Sequence, residues 1–409
     1  MIESVAYLAL HTSPLLQPGT GTAGGMNVYI DELATTMAKR GIDVVVFTRR
    51  TDPQQPDEIV VRDAYRVVHI DAGPIAPTPI EDLPRFVAGF GEAVIAWAKS
   101  RSHHFDLVHS HYWLSGWAGV LVKEGLGIPL ANSFHTLGRI KDRSRRMDED
   151  PSSALRLGTE EHVISLSDCI IAATPYEFDD LIEHYGASPE RLCVTPPGID
   201  HEIFSPGDRI ESRRSLGLDS APTVLFVGRI QAHKGTDLAV RSLALMPDTG
   251  GARNEPPVLI IVGGPSGRAG EAELSGLHRL AAELGVADRV HFIAPQPHDQ
   301  LARFYRAADV LVMPSRSESF GLVAAEAQAC GLPVVASRVG GLRYIIAESE
   351  SGVLVDDLDP RSFAAALSAV LDHPAFAKRL SQGAIDFARR FSWSVAADRF
   401  LELYEGIIG

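Results

Sequence analysis

Cysteine is scarce in this chain: three in 409 residues, at Cys169, Cys193 and Cys330. No Cys-x-x-Cys pair occurs, so neither a zinc site nor a disulfide framework is indicated. The three read as small buried hydrophobes in a reducing compartment. Long apolar runs are missing too, and none approaches the ~20 residues that a membrane helix requires. Positive charge is in deficit, since 38 Lys and Arg against 52 Asp and Glu leave a net charge of −14. That balance argues against a protein that grips nucleic acid through its backbone, which takes a basic face. It leaves room for one small basic pocket holding a phosphorylated ligand. The opening Met1-Ile2-Glu3-Ser4-Val5 has no basic n-region and no cleavage motif, so no signal peptide is expected and the expected location is cytoplasmic.

Short apolar runs alternate with longer amphipathic stretches. Strands are expected at residues 5–10, 44–48, 107–110, 129–134, 169–173 and 192–195. A second set is expected at 223–227, 258–262, 290–293, 310–313, 333–336 and 352–355. Most are continuously apolar, as parallel strands covered on both faces must be. Helical patterns lie between them, as at 27–40, 273–284 and 360–371. The fold class expected is therefore α/β, with two Rossmann-like, doubly wound domains. Prolines and glycines from Pro196-Pro197-Gly198 to Ser205-Pro206-Gly207 stop both kinds of element and mark a hinge. The expected division is 1–196 and 197–394, with a last helical stretch, 395–409, that either caps the second domain or crosses back to the first.

Ligands of open parallel sheets sit beyond the carboxyl ends of the strands. Those ends carry His11, the glycine loop Gly19 to Gly25, His109-Ser110-His111-Tyr112, His135-Thr136, Gly228-Arg229 with Lys234, Ser315 to Glu318, and Gly340-Gly341. Polar, basic and glycine residues thus gather at strand ends in both halves, which points to an active site between domains.

Gly19, Gly21 and Gly24 spell the dinucleotide fingerprint, but residues 11–18 separate them from the strand that should immediately precede them. Arg49-Arg50 keeps an NADP-dependent reductase open, and a loop without ligand is the bland alternative. The preferred reading is that Gly24 and Gly25 let backbone N–H groups approach an anion at a helix start. Arg229 and Lys234 suit a diphosphate, or else are two ordinary surface charges. Glu326 stands alone among Leu322, Val323, Ala324, Ala325 and Ala329, and a buried carboxylate needs partners such as a ribose diol. His109 and His111 are a conceivable metal pair without an evident third ligand, and read as polar lining. Asp148-Glu149-Asp150 and Asp357-Leu358-Asp359 match Asp-x-Asp, yet both read as solvated loops.

Together, Gly228-Arg229…Lys234-Gly235, Glu318-x7-Glu326 within Ser-Glu-Ser-Phe-Gly, and Gly340-Gly341 resemble the retaining family 4 glycosyltransferases of the GT-B fold. The string from His11 to Asn27 and the stretch 109–116 are similar to the mycothiol-pathway branch, which joins N-acetylglucosamine from UDP-GlcNAc to inositol 3-phosphate. The resemblance implies a hexosyltransferase in which Arg229 and Lys234 hold the donor diphosphate, helped by the amides around Gly25, with Gln17, Pro18 and Gly24 beside them. It implies Glu326 on the ribose, Glu318 on the transferred sugar, and His135 near the reaction centre. His11, Asn27, Tyr112, Thr136 and Arg156 would meet the acceptor, and the last helix would cross back. No cofactor is required and no metal ligand set is identified, though magnesium stays compatible. The partners expected are small molecules, with no nucleic acid and no integral membrane contact; a homodimer is left open.

One position departs from that branch. Its members carry a lysine in the segment that here runs from Gly73 to Pro84, and counting back from Leu83-Pro84 places Ile80 there. The segment has no cation and two acids, Glu81 and Asp82. Arg139 and Lys141 are candidates to supply the missing charge. His135-Thr136-Leu137-Gly138 followed by a lysine is similar to a stretch of sucrose-phosphate synthases, so the acceptor expected is small, hydroxylated and phosphorylated, with inositol 3-phosphate leading.

Overall fold

Strand pairing divides the chain near residue 200. The computed structural model describes residues 1–409 except Thr20, Thr22, 146–149, 249–254 and 268–269. The first sheet contains β1 (Ser4–Leu8), β2 (Asp43–Arg49), β3 (Glu58–Arg62), β4 (Tyr65–Ile70), β5 (Leu107–His111), β6 (Leu130–Ser133), β7 (Cys169–Ala172) and β8 (Leu192–Val194). Their order is β3-β4-β2-β1-β5-β6-β7-β8. The second sheet contains β9 (Thr223–Val227), β10 (Val258–Val262), β11 (Val290–Ile293), β12 (Val310–Met313), β13 (Val334–Ser337) and β14 (Gly352–Val355), in the order β11-β10-β9-β12-β13-β14.

Every described pairing is parallel except that of β3 with β4. The parallel strands are apolar throughout because helices cover both faces of each sheet. Leu8, Phe47, Val108 and Phe134 face one layer of the first sheet, while Val5, Tyr7, Val44 and Val46 face the other. Leu225, Ile260 and Leu311 divide from Val224, Leu259 and Val310 in the same manner in the second. This is the GT-B arrangement, two α/β domains with parallel sheets.

The antiparallel β3–β4 hairpin was not among the expected strands. Its two-residue turn is Asp63-Ala64, and Ala64 takes the left-handed conformation at φ 59°. Hairpin turns of that length favour glycine or asparagine there. With alanine in place, the strongest local signal is missing.

The chain crosses between halves twice. The first crossing follows β8, and the second leads into the Trp393–Ile408 helix, which returns to the first sheet. That helix buries Trp393, Ala396, Ala397, Phe400 and Tyr404 among Tyr7, Tyr29 and Val44. The Tyr404 hydroxyl lies 2.7 Å from Nδ1 of His109, and Arg40 pairs with Asp398 at 2.8 Å. The two crossings touch: Ile199 N–H donates to Phe391 O at 3.3 Å, and a Cβ on Gly198 would lie 2.1 Å from the Trp393 nitrogen. Only glycine fits there.

Candidate active site

In each sheet the first strand has neighbours reached in opposite directions, β1 between β2 and β5, and β9 between β10 and β12. Such switch points leave a crevice at the carboxyl ends of the strands. Here both crevices open into one cleft of about 390 Å³. Residues from both domains line it, including thirteen of the residues expected from sequence: His11, Pro18, Gly24, Gly25, Asn27, Tyr112, His135, Thr136, Arg156, Arg229, Lys234, Glu318 and Glu326.

One corner is built for negative charge. The Gly25–Ala38 helix starts there, stabilised by burial of Tyr29, Ile30, Leu33, Ala34 and Met37 along one face. Asn27 N–H turns back to Gly24 O at 3.0 Å, which leaves the Gly25 and Met26 amides without a carbonyl one turn back, and the helix dipole adds positive potential. Asn27 shapes the entry, with its Oδ1 accepting from Gly24 N–H at 2.9 Å and its amide donating to Thr12 Oγ1 and Ser13 O. Arg229, just past β9, reaches across the cleft to this point. A Cβ on Gly24 would come within 3.1 Å of Arg229 Nε, so the absent side chain is what lets the guanidinium lie against the loop. Lys234 completes the corner and donates to Glu318 at 2.8 Å. Burial, and then the charges of Lys234, Arg229, Lys141 and Arg316, keep His233 well below the usual imidazole range.

Glu326 occupies the Leu322–Ala329 helix and is 6% exposed. Its partner is Tyr305, whose hydroxyl donates to Oε2 at 2.8 Å. Burial pushes the Glu326 carboxyl up to about 8, opposed by that hydrogen bond. Hydroxyl donors facing a carboxyl raised in this way would favour its ionised form.

The opposite wall comes from the first domain. Tyr112 and His135 follow β5 and β6, and both have positive φ, 81° and 60°. Each such residue stores about 1–3 kcal/mol, and strain of this kind clusters at functional sites. His135 O accepts from Ser319 Oγ, which ties the two domains across the cleft. The His11 ring packs on Tyr112 at a tilt of 43°, with ring centroids 4.6 Å apart. Burial, then the charges of Arg229, His135 and Arg156, lower the His11 imidazole to about 3. Arg156 is oriented by the buried Glu160 at 2.8 Å and donates to Thr136 O at 3.0 Å. Glu160 is itself fixed by Gly138 N–H and the Tyr185 hydroxyl. Ile80 lines the cleft, as does Lys141.

Several sequence candidates lie elsewhere. Gln17 is outside the lining and donates to Pro295 O of the second domain at 3.2 Å. Arg139 turns away, onto Glu161, His184 O and the Tyr185 ring. Arg49 is spent on Pro74 O, Ala76 O and Thr78, and Arg50 on Asp71 and Asp57, so the arginine pair of the reductase reading serves its own loops. Asp359 caps the Pro360–Asp372 helix, and Asp357 accepts from Asp359 N–H. Asp148 and Glu149 lie outside the described residues. His109 is held between Tyr404 and Ser133, and among the described residues no group of three His, Cys, Asp or Glu is placed to hold a metal ion. Tyr305 and Ser319 were missed as contributors, because each acts through a partner distant in sequence, while His109 and His111, read as polar lining, lie outside it, His111 behind His135.

Comparisons with known proteins point to one family. The family described as Glycosyltransferase Family 4 matches residues 23–203, and that described as Glycosyl transferases group 1 matches 208–387. The chain is 45% identical to a D-inositol 3-phosphate glycosyltransferase of Thermomonospora curvata, over 99% of this chain and 96% of that one. It is 46% identical to D-inositol 3-phosphate glycosyltransferase 2 of Catenulispora acidiphila, over 98% and 94%. Among solved structures it is similar to sucrose-phosphate synthase from Thermosynechococcus elongatus, with TM-score 0.92, 32% identity and 99% coverage of both chains. Anabaena HepE in complex with UDP and glucose shares the fold at TM-score 0.78 and 18% identity, over 99% and 100%. No described helix is long and apolar enough to cross a membrane.

Proposed function

Since the chain belongs to the family 4 glycosyltransferases, we propose that it moves a hexose, with retention, from a nucleotide-diphosphate donor, UDP-GlcNAc first, to a small phosphorylated acceptor. The observation that carries this reading is the convergence of Arg229, Lys234 and the Gly25 helix start in one corner of the interdomain cleft. Two cations and a helix N-terminus stabilise a departing diphosphate electrostatically. Glu326 meets the ribose, and Glu318, braced by Lys234, meets the transferred sugar. Retention proceeds by attack on the face the diphosphate leaves, the leaving phosphate accepting the acceptor's proton. No enzyme nucleophile is then needed, unlike the carboxylate pair of retaining glycosidases.

The acceptor is assigned to the wall of His11, Tyr112, Thr136 and Arg156. Inositol 3-phosphate leads because the relatives at 45–46% identity bear that name. A second reading, fructose 6-phosphate, is favoured by the sucrose-phosphate synthase likeness and by Ile80, an apolar residue on that wall. Initial rates and product masses over a matrix of UDP-, GDP- and ADP-sugars against inositol 3-phosphate, free inositol and fructose 6-phosphate decide the matter. Selective use of inositol 3-phosphate supports the first reading, preference for fructose 6-phosphate the second, and no transfer in any combination refutes both.

A further inference from the structure

Two imidazoles meet behind the cleft wall. Nδ1 of His111, at the end of β5, lies 3.0 Å from Nε2 of His135, and the rings are 29° from parallel. A contact that short needs one proton between the nitrogens. Burial keeps both rings neutral, lowering His135 to about 3 and His111 well below the usual range. Each ring therefore has one N–H and one lone pair.

Two arrangements place a single proton on the line between them. If His135 donates, the proton of His111 must sit on Nε2. That nitrogen is buried without a hydrogen-bond partner, and a stranded buried N–H is rare and costly. If His111 donates from Nδ1, its Nε2 keeps only a lone pair, in a ring whose centroid lies 5.4 and 5.7 Å from those of the Tyr7 and Tyr29 rings. The remaining two combinations set two protons or two lone pairs face to face.

We propose that His111 is a positioning residue: it donates Nδ1–H to Nε2 of His135 and so fixes His135 as a neutral ring with its proton on Nδ1, the nitrogen left for a ligand. The hydrogen bond made by one imidazole nitrogen decides the state of the other. His135 lines the cleft with part of the residue still exposed there, and its backbone is held by Ser319. A donor fixed in this way serves an oxygen of the sugar or acceptor, and does not take up a proton as a general base. The identity of that oxygen rests on the glycosyltransferase reading; the tautomer does not.

The test uses the full-length protein labelled with 15N-histidine and free of ligand. Long-range 1H–15N correlation spectra between about pH 5 and about pH 8 report both rings, assigned through His135→Gln and His111→Asn. The expected result is a neutral His135 across the range, with protonated Nδ1 and bare Nε2, and the same tautomer for His111. A proton on His135 Nε2, or titration of the ring within the range, overturns the proposal. Kinetics form a second arm. His111→Asn keeps an N–H near the Nδ1 position and should hold kcat within about threefold, whereas His111→Leu should lose about 10- to 100-fold in kcat with little change in donor KM. Equal losses in the two variants at matched Tm also overturn it. Absence of transfer with every nucleotide sugar would count against the glycosyltransferase reading, while the spectra would still decide the tautomer.

Discussion

Gly24→Ala separates the architecture of the anionic corner from its stability. The added Cβ would lie 3.1 Å from Arg229 Nε and 3.3 Å from Cζ, so the guanidinium must recede by a few tenths of an ångström. Gly24 has φ −164°, extended backbone that alanine adopts readily, and its N–H remains capped by Asn27. Folding stability should therefore stay within about 0.5 kcal/mol of the parent, as for surface changes free of backbone strain. Donor binding should not. A charge-assisted hydrogen bond is worth about 1.5–3 kcal/mol, or roughly 10- to 150-fold in affinity. Displacing Arg229 rather than deleting it places the expected loss near the lower bound, about tenfold in donor Kd. Isothermal titration with UDP and UDP-GlcNAc, beside thermal melts of the same samples, makes the measurement. Parental donor affinity in Gly24→Ala would refute the contact's role. So would a large drop in Tm, since the loss could then be ascribed to the loop's fold.

Arg229→Ala and Lys234→Ala should each lower kcat by about 10² or more without unfolding the protein, as removal of one preorganised donor does; near-parental turnover in both would sink the assignment. Glu326→Gln should stabilise the ligand-free protein, and more so at alkaline pH. Below the ordinary carboxyl value of 4.5 the acid is protonated in both states, and above it the unfolded chain ionises first, so stability is lost until the folded group ionises near 8. Melts at about pH 6 and about pH 8.5 should therefore differ more in the parent than in the variant, by about 3 °C or more, and equal slopes would refute the burial argument. Small-angle scattering should show a smaller radius of gyration when UDP-sugar and an acceptor analogue are added, since interdomain motion is the default for such a layout. An unchanged radius at saturation counts against closure.

Much of the architecture was legible because parallel strands advertise themselves: Val44 to Phe47 and Val258 to Val262 are unbroken apolar runs, and both have a parallel neighbour on either side. The β3–β4 hairpin was hidden because it is an edge feature with exposed positions, such as Val60, and an alanine at its turn. The cleft's own residues were legible as polar breaks at strand ends. What supports them was not. Tyr305 meets Glu326 from 21 positions away, Ser319 meets His135 from 184, and Tyr404 meets His109 from 295. No local pattern records such pairs, because side chains find them only after the sheets have formed. Arg139 shows the converse: it was a fair candidate by position, but Glu161 and Tyr185 lie nearer to it than the cleft does.

The returning helix has a consequence for the order in which the protein can be made. A ribosome delivers β1 well before the Trp393–Ile408 segment, yet Tyr404 completes the hydrogen bonding of His109 and Tyr7 in the first domain. Until that segment emerges, that face of the first sheet lacks Trp393, Phe400 and Tyr404, and nascent chains otherwise tend to fold domain by domain from the N-terminus. The second domain, whose sheet is finished at Val355, can therefore consolidate before the first is sealed. A polypeptide cut after residue 392 would carry an unsealed aromatic patch with Tyr7 and Tyr29 at its centre. The Trp393–Ile408 helix works as a closing clasp, drawn onto the first sheet after the strands of both sheets have been delivered.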